Sequence, residues 1–112
     1  MTREEIQGLK GRELDVVVAR EIFGWHYGNY HTDLARYSSD LSAAWEVVEE
    51  MRKNGYDYAI ESLNDSLNAG GDLTHVRFFK RLEGNYYEYD SEVSVMHGIS
   101  ICALLAVLGE EE

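Results

Sequence analysis

The sequence predicts an α+β fold in which a small three-stranded antiparallel sheet packs with helices. Three observations carry that prediction. In the first half, apolar residues recur at helical spacing, at Leu14, Val17, Val18 and Ile22 and again at Leu41, Ala44, Trp45, Val48 and Met51. The middle switches to alternating polarity in three segments rich in Tyr, Phe, Val and Ile: Tyr56 to Leu63, Leu73 to Leu82 and Asn85 to Asp90. The last stretch, Val93 to Leu108, is apolar nearly all round, as a helix buried on most sides would be.

Taken in order, Thr2 and Glu5 form a capping box that opens a short helix, which Gly8 weakens. A second helix runs from Arg12 to Phe23, and Gly24 is its stop. Residues Trp25 to Tyr37 have no clean period but are dense in rings, with Gly28 and Asn29 among them, and read as a loop packed by its own aromatics. Loops of this length often carry function, which makes this one the first place to look for a binding surface. The third helix spans Asp40 to Lys53. Ser38 or Ser39 is placed to cap it, Asp40 suits its positive end, and Asn54-Gly55 closes it. Gly70-Gly71-Asp72 separates the first strand from the second, and Glu83-Gly84-Asn85 joins the second and third as a hairpin. Spacing leaves open whether the helices cover one face of the sheet or both. A chain this small can hardly bury the last helix alone, so a homo-oligomer is expected.

With 112 residues, no proline, no linker and no internal repeat, the chain reads as one domain, 1–112. A single cysteine, Cys102, cannot form a disulfide within the chain and reads as a small buried hydrophobe in a reducing compartment. Thr2-Arg3-Glu4-Glu5 is no secretory start, and Val93 to Leu108 falls short of the roughly 20 apolar residues of a membrane span. A cytoplasmic protein is expected. The net charge of −11 repels phosphate backbones and disfavours direct DNA or RNA binding. Beyond Lys53 the basic residues are Arg77, Lys80 and Arg81; on a strand, Arg77 and Arg81 would share one face.

Several blocks of sequence resemble a known family. Gly11-Arg12-Glu13-Leu14-Asp15, continuing through Val18-Ala19 to Phe23-Gly24-Trp25, resembles the opening of the phage ABA sandwich domain family. Tyr37-Ser38-Ser39-Asp40-Leu41 with Ala43 to Val48 is similar to its second block, and Ile101-Cys102-Ala103 with Ala106 to its C-terminal helix. The middle strands, the segment from Asn64 to Asp72 and His97 to Ser100 depart from the family pattern. The resemblance implies a three-layer α-β-α sandwich and an origin in a bacteriophage or prophage, with expression in the bacterial host cell. It brings no catalytic residues, and it directs attention to binding, since small accessory phage proteins often disable host defences.

The chemistry of the residues agrees with binding. His26, His31 and Asp33 lack the tight spacing of zinc motifs, and Cys102 has no cysteine partner. The pair Glu49-Glu50 and the run Glu110, Glu111 and Glu112 read as solvated. No nucleophile elbow, phosphate-cradling loop or dinucleotide fingerprint is present. Neither an enzyme, a metal nor a cofactor is expected. The first expectation is sequestration of a nucleotide-derived immune signal. Rings of the Trp25 to Tyr37 loop, among them Trp25, His26 and Tyr30, or else Tyr86, Tyr87 and Tyr89 would stack on a base, and Arg12, Arg77 or Arg81 would pair with phosphates. An acidic nucleic-acid mimic that blocks a host nuclease or other DNA-binding defence protein is the alternative. A third reading is an oligomeric structural accessory using the C-terminal helix.

Overall fold

The computed structural model describes residues 1–28, 31–64 and 72–109, with the backbone alone at 63, 64 and 72. Tyr30, the Gly70-Gly71 break and the Glu110, Glu111 and Glu112 run lie outside them. The elements follow in the order α1 (Arg3–Gln7), α2 (Gly11–Phe23), α3 (Leu41–Lys53), β1 (Asp57–Asn64), β2 (Asp72–Lys80), β3 (Asn85–Ser91) and α4 (Val95–Gly109). The α+β class and the three-stranded antiparallel sheet are those the sequence predicts, and the strand order is β1-β2-β3.

Local signals act where the sequence places them. The capping box of α1 is complete, with Glu5 N–H donating to Thr2 Oγ1 and Thr2 N–H to Glu5 Oε1, each at 3.1 Å. Gly24 ends α2 at φ 76°, a left-handed conformation that favours glycine. The cap of α3 differs: Asp40 Oδ1 accepts from Ser42 N–H at 3.0 Å, because Ser38 is engaged elsewhere. The buried stripe of α3 is also shifted. Ala43, Ala44, Val47, Val48 and Met51 face the core, while Leu41 and Trp45 are 59% and 41% exposed. Large apolar residues at helical spacing resemble a core stripe, but here Ala43 and Val47 are buried while Leu41 and Trp45 are not.

The strands register from Asp57↔Phe79 to Asn64↔Asp72 and from Thr74↔Ser91 to Lys80↔Asn85. β2 ends at Lys80, whose carbonyl accepts from Glu83 and Gly84 N–H at 3.2 and 2.9 Å. Arg81 therefore lies in the turn and not on the strand, so it does not share a strand face with Arg77. Alternation sends Thr74, Val76 and Phe78 of β2 to a buried face, opposite His75, Arg77 and Phe79.

The layer order follows from α4. A helix apolar on every side must be covered on every side, and α4 packs on β2 and β3 with one side and on α1, α2 and α3 with the others, while α3 also packs directly on β1. The helices therefore meet the sheet through α4 over β2 and β3 and through α3 at β1. Among the described residues the helices pack on one sheet face, the one that carries Thr74, Val76 and Phe78 of β2, which settles what spacing leaves open. The contact is close: a Cβ on Gly98 would sit 2.9 Å from Ser91 Cβ and 3.1 Å from Val76 Cγ2. One turn on, Cys102 Sγ donates to the carbonyls of Val76 and Tyr87 at 3.4 Å each. Burial pushes that thiol up to about 12, so it behaves as the buried hydrophobe expected. The chain thus buries α4 by itself, and burial of this helix gives no reason for a second subunit. No helix among the described residues is long and apolar enough to cross a membrane.

Candidate functional site

Arg12, the first residue considered for anion capture, is built into a structural knot. Its Nη1 pairs with Asp15 Oδ2 at 3.0 Å and donates to the Ala35 carbonyl, while Nη2 donates to the Leu34 carbonyl at 2.9 Å. Asp15, only 1% exposed, also accepts from Ser38 N–H at 2.9 Å, and Ser38 Oγ donates to the Gly11 carbonyl. These bonds satisfy a buried carboxylate and tie the segment after the aromatic loop onto α2.

Arg77 and Arg81 belong to the outer face of the sheet and its end. Arg77 Nη2 pairs with Glu61 Oε1 across β1 and β2 at 2.7 Å. The side-chain hydrogen bond with Tyr86, helped by Glu61 and Glu88, raises its pKa further. Arg81 reaches Asp57 at 3.3 Å and lies over the Phe79 ring, 77% exposed. His75 stands between Glu88, at 3.2 Å from Nε2, and Asp90, bonded to Nδ1. Tyr87 points the other way, toward α4, where Tyr87, Met1, Arg3, Ile6, Leu105 and Gly109 line a recess of about 200 Å³.

Trp25 leads to a different surface. The left-handed turn at Gly24, with Trp25 N–H bonded to the Ala19 carbonyl at 2.9 Å, folds the indole back over Phe23. The rings stack at 5.0 Å, and Phe23 stacks in turn on Tyr37 at 5.3 Å. Tyr37 is buried; burial, then nearby Glu46, pushes its phenol up to about 12. Across from this ladder, Trp45 of α3 sets its edge against Tyr58 at 5.6 Å. Phe23, Trp25, Trp45, Glu46, Glu49, Glu50 and Lys53 line an open depression of about 380 Å³, the two indoles 48% and 41% exposed. His26 lies beside it in sequence and is exposed; His31 Nδ1 accepts from Asp33 N–H at 3.1 Å and its ring packs on Tyr27.

The phage ABA sandwich domain family model matches residues 16–76, more than half of the chain, from within α2 to within β2. The chain belongs to this family. No curated protein and no solved structure gives a match.

In this phage ABA sandwich domain, the described residues among those picked out for nucleotide capture fall in separate places. Arg12 is in the knot, Trp25 and His26 follow α2, Arg77 is on the outer sheet face, Arg81 is in the β2–β3 turn, and Tyr87 is on the inner face. Tyr30 is outside the described residues. The domain instead groups Trp25 with Trp45, Glu46, Glu49 and Glu50. Sequence reading placed Trp45 in the core and treated Glu49 and Glu50 as solvent-facing. The available signal was the Leu41, Trp45, Glu49 and Lys53 row at four-residue spacing, which is one helix face.

Proposed function

We propose that this phage domain acts without turnover, by docking its acidic surface on a basic host protein that takes part in defence, as a nucleic-acid mimic does. The observation that supports this reading is the pairing of the three arginines singled out for anion capture. Arg12, Arg77 and Arg81, the groups an anionic nucleotide would need, each pair with a carboxylate: Asp15, Glu61 and Asp57. With those charges balanced locally, the net charge of −11 is carried by the remaining surface carboxylates. A field of that sign attracts basic partners and speeds their association. Phosphate capture would meet a carboxylate already beside each of these arginines.

The test is affinity capture from host lysate at low and at raised salt, with partners identified by mass spectrometry and their binding remeasured with purified proteins. The expected partner is basic, and its affinity falls steeply as salt rises. A melting temperature raised by a cyclic or ADP-ribose-derived nucleotide, with no salt-sensitive basic partner, would replace this reading with nucleotide sequestration.

A further inference from the structure

We propose that the depression between the end of α2 and α3 is the part of this surface that grips the partner, and that its occupant is an arginine-bearing basic segment. This rests on the docking reading and gives it a location. Two indoles are exposed on a chain that contains two tryptophans in all. Each is held in place: Trp25 by the ladder that ends on buried Tyr37, Trp45 by its edge contact with Tyr58. Exposed aromatics that are already ordered lose little freedom on binding, and Trp is enriched among the residues that dominate interfaces.

The charge around them selects the partner. Glu46, Glu49 and Glu50 rim the depression, and its one lining cation, Lys53, extends into solvent with its Nζ 3.8 Å from Glu50. A guanidinium stacks on an indole face while its N–H groups reach a carboxylate, and indole is the strongest cation–π partner among side chains. The shape argues for a peptide segment over a single small cation. The site is open, and exposed Leu41 continues the Trp45 face one turn toward the start of α3. The row Leu41, Trp45, Glu49 and Lys53 spans about 18 Å of helix, room for several residues of an extended chain.

Because both tryptophans line the site, intrinsic fluorescence reads it directly. The full chain is titrated with a peptide of alternating glycine and arginine, and with one of alternating glycine and glutamate as the control. The expected result is a saturable change in indole emission with the arginine peptide alone, weakened at least tenfold in Glu49→Lys. The triple variant Glu46→Gln, Glu49→Gln, Glu50→Gln keeps both reporters and introduces no new cation, and is expected to weaken binding to a similar degree. No saturable change, or equal affinity in these variants, overturns the proposal. The docking reading is judged separately: a basic partner that binds wild type and Glu49→Lys equally well leaves docking standing and removes this site. Absence of any salt-sensitive basic partner removes docking, whatever the peptide does.

Discussion

The Arg12–Asp15 knot and the Arg77–Glu61 pair use the same two side-chain chemistries, yet only one of them holds the fold. In the knot, the carboxylate is shut away from water, and two donors, the Arg12 guanidinium and Ser38 N–H, replace its lost hydration. On the outer sheet face, Glu61 is half exposed and water competes for both partners. A close ion pair is therefore evidence about structure only when its burial is known.

The sharpest way to break this comparison is Asp15→Ala. It leaves Ser38 N–H without its acceptor and a partly buried guanidinium, still bonded to the Leu34 and Ala35 carbonyls, without its counter-charge, and should cost about 3–5 kcal/mol in chemical unfolding. Gly98→Ala comes next. The added methyl meets Ser91 and Val76 where α4 crosses the sheet, and a loss of about 1–3 kcal/mol is expected in the same measurement.

A smaller effect comes from acid. Burial lowers the pKa of His97 below its ordinary 6.5, so the unfolded chain binds the proton first. Its contribution is fully present above pH 6.5 and is lost as pH falls from there toward the lower folded value. The slope from this one group is at most about 1.4 kcal/mol per pH unit. Urea midpoints measured across that range should decline on acidification, and less so in His97→Gln. The smallest effect is assigned to the exposed pair: Glu61→Gln should leave the thermal midpoint within error of wild type, in low salt and in high. A loss there comparable to that of Asp15→Ala would erase the distinction between the two regions.

Much of the fold was legible in the sequence because it depends on neighbours along the chain. The Thr2 and Glu5 box, the stop at Gly24, the hairpin at Gly84 and the alternation of β2 are local effects of side-chain and backbone chemistry. The blocks around Gly11 to Asp15 and Tyr37 to Asp40 were recognisable as family sequence, although their purpose was not. They touch across a chain separation of more than twenty residues, and only folding shows that Arg12 and Asp15 serve the knot.

The candidate site was less legible. Periodicity marks the residues that share a helix face, and it put Trp45 with Val48 and Met51; it cannot tell which face another element will cover. In α3 the narrow side chains Ala43 and Val47 join Ala44 on the packed side, and Trp45 is left partly in solvent. Trp25 was singled out from the density of rings, but its companions come from another helix. By itself the sequence determined the elements, their order, the strand alternation and the acidic charge, because each is set by residue identity and short-range spacing. Only the tertiary structure decided that α4 packs between the β2–β3 pair and the other helices, that Arg12, Arg77 and Arg81 each pair with a carboxylate, and that two distant tryptophans share one depression. Those outcomes depend on which surfaces exclude water together, a property of the packed chain.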